Sequence, residues 1–164
     1  DWDGDGIDTI ALYLNGTVFP TDQNSPRPPV TRTFRYGTAG DLLLGGDWDG
    51  DGRDGIGVRR GGKWLLRETQ SPGIAQRSIS FGWPSDVPLV GDWEADGIDT
   101  PAVWRAGTLH AAASISSTPA TAVFEVGGVG PRTIAGDPTG QGFDMVGVVV
   151  GQHWRTWVVQ ANVP

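Results

Sequence analysis

The chain has 164 residues with 26 glycines, 12 prolines, no cysteine and a formal net charge of −7. This length favours a single domain, and the absence of cysteine excludes disulfides, thiol nucleophiles and cysteine-ligated zinc. The acidic balance and the lack of a basic helix argue against nucleic-acid binding. No run approaches the ~18 apolar residues of a membrane helix, so we expect no membrane insertion. The first residues are unlike a signal peptide and suggest a start inside something longer.

A repeat of about 45 residues organises the chain. The segment GDWDGDGRD at 46–54 returns as GDWEADGID at 91–99 and more weakly as GDPTGQGFD at 136–144. Residues 1–8 form the first copy, so the copies lie 46, 45 and 45 positions apart. A repeat in register predicts one repeat domain over 1–164, with units at approximately 1–40, 41–86, 87–130 and 131–164.

Short apolar runs between Gly, Pro, Asn and Asp predict β-strands in each unit. In the third unit we expect strands at Val87–Gly91, Thr100–Arg105, Thr108–Ala113 and Thr121–Val126. The acidic loop joins the first strand to the second, and tight turns join the second to the third. These turns are expected at Asn15-Gly16, Arg60-Gly61-Gly62, Ala106-Gly107 and Gly151-Gln152.

Four-stranded antiparallel meanders that repeat every 40 to 50 residues predict an all-β fold, a β-propeller or partial propeller of about four blades. A β-sandwich is the alternative, although a sandwich does not need a repeat in register. The first unit begins after its first strand and the last ends after its third, which gives 14 predicted strands. The chain is therefore expected to be a piece of a larger propeller, a small ring closed by its own termini, or a part that pairs with another chain.

The acidic loops have the composition of a cation site. Of the 19 acidic residues, 14 lie in the four loops, where their charges repel one another unless a cation is bound. Alternate carboxylates and one carbonyl at the seventh position suit Ca²⁺, and we expect about three ions, with the fourth loop weak or free of metal. An Asx turn, in which the carboxylates bond the backbone of their own loop, is the alternative. The predicted ligands are Asp1, Asp3, Asp5, Asp8, Asp47, Asp49, Asp51, Arg53, Asp54, Asp92, Glu94, Asp96, Ile98 and Asp99.

These GDWDGDG loops between short strands resemble the FG-GAP and VCBS-type repeats of integrin-α-like β-propellers, in their bacterial form. The resemblance covers essentially the whole chain and is strongest in the first two loops. The closing Asp stands at the eighth position of the loop, where the commonest pattern has it at the ninth. The resemblance implies calcium loops within the blades, a secreted or cell-surface location, and binding of proteins or glycans.

The tryptophans, and the acidic residues outside the loops, are expected to have mainly structural roles. Trp2, Trp48 and Trp93 share one repeat position and are expected to pack between blades, whereas the less regular tryptophans could line a carbohydrate surface. Asp41 and Asp86 are also equivalent, which favours a turn or an interblade hydrogen bond over catalysis. Arg27, Arg32 and Arg35 lie in or after the longest irregular insertion, Ser25–Pro29, and could face an acidic glycan or protein, or simply form a solvated surface.

No catalytic motif is visible, and neither His110 nor His153 has metal-ligand spacing. The sequence therefore predicts a calcium-stabilised, non-catalytic extracellular binding or adhesion module that recognises a protein or glycan. One alternative is a domain of, or attached to, a secreted carbohydrate-active or hydrolytic enzyme. Another is an assembly unit that oligomerises to close a propeller.

Overall fold

In a computed structural model the chain forms four antiparallel sheets, described here for residues 1–30, 32–116, 121–125, 132–150 and 153–158. For residues 121, 150, 154 and 156–158 only the backbone is described. Within these residues there is no helix, and hence no helix that could cross a bilayer. The all-β prediction is confirmed.

Each sheet is built from consecutive strands of one predicted unit. Sheet A has the order β1-β2-β3, sheet B has β4-β5-β6-β7, sheet C has β8-β9-β10-β11 and sheet D has β12-β13-β14. The strands of sheets A and B are β1 (Ala11–Leu14), β2 (Thr17–Pro20), β3 (Phe34–Arg35), β4 (Leu42–Gly46), β5 (Gly55–Arg60), β6 (Lys63–Arg67) and β7 (Arg77–Ser80). Those of sheets C and D are β8 (Val87–Gly91), β9 (Thr100–Arg105), β10 (Thr108–Ala112), β11 (Thr121–Glu125), β12 (Thr133–Gly136), β13 (Met145–Val150) and β14 (His153–Val158).

The strand predictions for the third unit are nearly correct. Two strands match, the third ends one residue earlier at Ala112, and Val126 of the fourth lies outside the described residues. The hairpin predicted at Asn15-Gly16 is also present, with φ of 50° and 83°, because both residues of such a turn need positive φ. The turn predicted at Gly151-Gln152 lies outside the described part of the chain.

The hydrophobic core lies between successive sheets. One cluster joins Trp2 and Val18 of sheet A to Ile56 and Val58 of sheet B. A second cluster lies between sheets B and C, and a third between sheets C and D. Sheets B and C therefore each bury one face against the sheet before and the other against the sheet after, as alternating side chains of a strand allow.

The loop tryptophans lie in these junctions, as predicted. Trp2, Trp48 and Trp93 are buried, and each packs in a different one of the three clusters. The first strand of sheet C, β8, also contacts the first strands of its neighbours, β4 and β12. The sheets are thus stacked in sequence order, and closure of such sheets into a propeller stays a prediction.

Candidate metal loops

The second, third and fourth acidic loops each connect the first two strands of a sheet, and the first loop precedes β1 of sheet A. Gly46 pairs with Gly55 at the end of the β4–β5 ladder, so that residues 47–54 form the loop. In the first and third loops a buried tryptophan bonds to the backbone at or just before the start of the following strand: the indole N–H of Trp2 donates to the carbonyl of Thr9 at 3.0 Å, and that of Trp93 to Thr100 at 3.1 Å. The first and third loops are therefore fixed to the sheet at their second residue. Trp48 of the second loop is equally buried, and its indole N–H has no partner among the described residues.

The first carboxylate of each loop organises the backbone around it. Asp47 Oδ1 accepts the N–H groups of Gly50 and Asp51 at 2.7 and 3.1 Å, and Oδ2 accepts that of Gly52 at 2.7 Å. Asp1 makes the equivalent bonds in the first loop. Such bonds to the backbone of the same loop were the alternative to metal binding, and the fifth carboxylate makes one as well: Asp5 Oδ1 accepts the N–H of Ile7, and Asp51 Oδ1 that of Arg53, both at 2.9 Å.

The fourth loop, which has lost two of the carboxylates, keeps the same hydrogen bonds between its first aspartate and its own backbone. Asp137 accepts the N–H groups of Thr139, Gly140 and Gly142 at 3.0, 2.8 and 2.7 Å. These bonds, chiefly that of Gly142, lower the pKa of Asp137 to about 2, because they stabilise the charged form. Loop shape alone therefore does not require the carboxylates at positions three and five.

Two loops bring three carboxylates together. In the first loop, carboxylate oxygens of Asp1, Asp3 and Asp5 all lie within 4.8 Å of one another, and in the second those of Asp47, Asp49 and Asp51 do so. Desolvation raises the pKa of Asp49, and the charges of Asp51, Glu68 and Asp47 raise it further. An all-oxygen donor set of this charge fits a hard divalent cation.

The third loop differs in its backbone. Ala95 stands where the other loops have glycine, and it adopts a φ of 59°, as the equivalent Gly50 does at 77°. An L-residue is strained in this left-handed region. Asp92 accepts N–H groups of Glu94, Asp96 and Gly97. Among the described residues, Asp92, Glu94 and Asp96 do not form a convergent group like those of the first two loops.

The closing aspartates contact the preceding loop. Asp99 Oδ2 accepts the backbone N–H of Asp47 at 2.8 Å, and Asp144 Oδ2 accepts that of Asp92 at 2.8 Å. Asp54 accepts the terminal ammonium of Asp1 in the same way. The convergent groups contain only the first, third and fifth positions, so the ligand roles of Asp8, Asp54 and Asp99, and of the carbonyls of Arg53 and Ile98, stay predictions.

Burial makes these closing carboxylates hard to ionise. Desolvation raises the pKa of Asp99 to about 7, and the charges of Asp144 and Asp54 add to the rise, while the Asp47 N–H lowers it. The pKa of Asp144 rises to about 6, again mainly through desolvation. At the junctions between sheets, Asp99 and Asp144 therefore keep their protons to a higher pH than ordinary aspartates do.

Two equivalent clefts open beside the loops, and no sequence motif predicts them. One, of about 350 Å³, lies where Trp48 and Asp49 of the second loop face Glu94 and Asp96 of the third. The other, also about 350 Å³, lies where Trp2 and Asp3 face Asp51 and Asp54. The second cleft is lined by Arg32 and the first by Arg77, 45 positions further on. The one sequence feature that points to these clefts is the spacing of the two arginines, which equals one repeat unit.

Those arginines are already engaged. Arg32 pairs with Asp22 at 3.0 Å and donates to the carbonyl of Trp2, and Arg77 pairs with Glu68 at 2.9 Å. Arg32 therefore faces inward, rather than outward to an acidic partner as the insertion suggested.

Asp41 and Asp86 have the structural role that their spacing predicts. Each carboxylate caps a turn, accepting the N–H of Thr38 or Trp83 at 2.8 or 2.7 Å. Each is also held by an arginine on the second strand of its sheet, at 2.7 Å for Arg60 and 2.8 Å for Arg105. A repeated, saturated carboxylate of this kind stabilises the turn and is not poised for chemistry.

The less regular tryptophans differ in solvent exposure, and this distinguishes those that pack in the core from those on the surface. Trp64 and Trp104 are buried, whereas Trp83 is 61% exposed, with the Arg105 guanidinium 3.6 Å from its ring centroid. The side chains of Trp154 and Trp157 lie outside the described residues. Of the described tryptophans, Trp83 alone offers an exposed aromatic surface.

Comparisons with protein-family models, with curated proteins and with solved structures gave no match.

Proposed function

We propose that this chain is a calcium-binding repeat module of the propeller type with a non-catalytic binding role outside the cell. The observation that carries the calcium part is the pair of convergent groups, Asp1, Asp3 and Asp5 and Asp47, Asp49 and Asp51. A bound Ca²⁺ would neutralise the mutual repulsion of these carboxylates and fix the loop against the sheet. The repeated core clusters support a propeller-type stacking of blades.

The loops differ in their expected affinity. The first and second loops present three close carboxylates, whereas the third has strain at Ala95 and no convergent group among the described residues. The fourth has Thr139 and Gln141 in place of two carboxylates. We therefore expect two stronger sites and one weaker site, with the fourth loop held by its own hydrogen bonds.

Calorimetric titration of Ca²⁺ into the chelator-stripped chain tests this order. We expect saturable binding at the first two loops and a rise in melting temperature, because an ion that binds only the folded state stabilises it. Asp49→Asn should remove one stronger site, since Asp49 supplies a carboxylate of the convergent group. Glu125→Gln, which removes one negative charge from an exposed strand position, is the matched control and should leave the titration unchanged. If Ca²⁺ gives neither binding heat nor a change in melting temperature, the loops are held by their own hydrogen bonds and do not bind calcium.

The partner class, a protein or a glycan, and the extracellular setting follow from the resemblance of the loops to FG-GAP repeats. Trp83 supports a glycan as partner, because an exposed indole can stack on a sugar ring. A panel of soluble polysaccharides, monitored by tryptophan fluorescence, tests this part. Trp83→Ala should abolish any response, and a response that survives this substitution would place the surface elsewhere.

A further inference from the structure

An apolar face of sheet A is uncovered. Ile10, Leu12 and Leu14 alternate along and just before β1, and all three are exposed, with Leu12 at 64%. Ala11 and Tyr13, which alternate with them, pack instead against the core between sheets A and B. Sheet A thus buries one face against sheet B and leaves the other, rich in large aliphatic groups, in contact with solvent.

In the later sheets, the residues at the equivalent repeat positions are buried. Ile10 and Leu12 lie 46 positions before Ile56 and Val58, which are fully buried at 0% exposure between sheets A and B. Val146 and Val148, two repeat units after Ile56 and Val58, are buried in the same way between sheets C and D. In each later sheet, the side chains at these positions are covered by the preceding sheet. Ile10 and Leu12 are therefore one half of a junction.

The other half lies at the far end of the stack. The outer face of sheet D carries an apolar groove of about 280 Å³, lined in part by Ile134, Pro138 and Met145. Ile134 is 54% exposed, whereas Leu89, 45 positions earlier, is 7% exposed because it packs in the cluster that contains Val146 and Val148. The groove is thus repeat-equivalent to a face that receives the next sheet.

A polar contact marks the same junction. At the three internal junctions, the closing carboxylates of Asp54, Asp99 and Asp144 each accept the backbone nitrogen of the first aspartate of the preceding loop. Asp8 is the closing residue of the first loop, and its side chain is exposed. The equivalent donor beyond sheet D is the backbone N–H of Asp137. The two ends of the stack therefore complement each other in polar as well as apolar groups.

We propose that a second copy of this chain docks head to tail, with its Ile10 and Leu12 in the groove beside Ile134 of the first. A second copy is the favoured occupant because each molecule carries both halves of the same repeated junction, in matching register. The contact is heterologous, so it generates a closed ring or a filament rather than a face-to-face dimer. It rests on side-chain packing between sheets and is independent of the proposed calcium binding.

The mass of the chain in solution, measured over a range of concentrations by analytical ultracentrifugation, tests the docking. We expect species of two or more copies, with and without chelator. Leu12→Arg and Ile134→Arg should each give a monomer, because a charge would be buried without a partner in the junction. Ile74→Arg, at a loop position that is 85% exposed and outside both faces, is the control and should associate as the unaltered chain does.

Mixing the two blocked variants distinguishes head-to-tail docking from other arrangements. Leu12→Arg keeps an intact groove on sheet D, and Ile134→Arg keeps an intact face on sheet A. An equimolar mixture should therefore form a one-to-one dimer and nothing larger, which also shows that both variants are folded. A monomeric unaltered chain overturns the proposal. So does association that Leu12→Arg abolishes and Ile134→Arg leaves intact, because that pattern describes a contact between two copies of sheet A.

Discussion

Asp47 and Asp99 are joined by a reciprocal pair of hydrogen bonds between neighbouring loops. The backbone N–H of Asp47 donates to Asp99 Oδ2 at 2.8 Å, and the backbone N–H of Asp99 donates to the carbonyl of Asp47 at 2.8 Å. Asp144 and Asp92 repeat both distances one unit later. The loop that carries the acidic cluster is thus also the connector between sheets.

Asp99→Ala should destabilise the junction between sheets B and C. The substitution leaves the partly buried N–H of Asp47 without its acceptor, at a cost of about 1–3 kcal/mol. Chemical denaturation in the presence of chelator measures this without a contribution from metal. Asp8→Ala, at the same repeat position but with an exposed side chain, should change the free energy of unfolding of the single chain by less than about 0.5 kcal/mol. Equal losses would contradict a role for the closing carboxylate in joining the loops.

Ala95→Gly should stabilise the protein. Ala95 has a φ of 59°, in the left-handed region that an L-residue enters at a cost and glycine enters freely. We expect a gain of about 0.5–1 kcal/mol in the free energy of unfolding, measured by denaturation in chelator. Ala39→Gly, in an exposed turn outside the positive-φ positions, is the control and should be neutral or slightly destabilising. A loss at position 95 equal to that at position 39 would mean that the backbone there is not strained.

Acid should weaken the turn that Asp86 caps. The Arg105 guanidinium lowers the pKa of Asp86 below its usual 3.8, with the Trp83 N–H contributing in the same direction. Because the folded state holds this carboxylate in its charged form, its contribution is complete above pH 3.8 and is lost as the pH falls through the lowered pKa. Asp86→Asn should therefore cost about 1.5–3 kcal/mol at neutral pH, and the difference from the unaltered protein should shrink in acid.

Denaturant titrations at several pH values provide the measurement, with Glu125→Gln as an exposed control. A difference that stays constant from neutral pH into acid would show that the Arg105 pair does not hold the charge on Asp86.

The two classes of tryptophan should respond differently to truncation. Trp48 is 1% exposed and packs in the cluster between sheets B and C, so that Trp48→Ala should cost about 3–5 kcal/mol. Trp83→Ala removes only a surface contact with Arg105, worth about 0.5–1 kcal/mol at an exposed site. Thermal melts of the two variants make the comparison. A large loss at Trp83 would show that its stack with Arg105 supports the Asp86 turn.

Local patterns predicted the strands because each one carries its own turn signals. Asn15-Gly16 specified a hairpin, and the run from Val87 to Gly91 specified a strand, without reference to any distant residue. The burial of Trp48 followed from its repeat position, since residues at equivalent positions meet equivalent neighbours. The convergence of Asp47, Asp49 and Asp51 likewise depends on a loop of a few residues, whose glycines allow the backbone to turn.

The contacts between repeat units could not be predicted from local sequence patterns. The sequence suggested that Asp54 and Asp99 close their own loops, because the pattern within one loop contains no information about the loop beside it. The structure shows that each is also joined to the preceding loop. The sequence left open whether Arg32 faces solvent or a partner, because its pairing with Asp22 depends on how the insertion folds back.

The sequence by itself determined the repeat, the antiparallel strands and the two loops with convergent carboxylates, since all of these arise from interactions between residues close in the chain. Tertiary structure alone decided that Asp99 bonds to Asp47, that Ile56 is buried and that its repeat equivalent Ile10 is exposed. Identical residue types at equivalent positions acquire different environments because burial depends on whether a neighbouring sheet covers them, and that is a property of the stack rather than of any one unit.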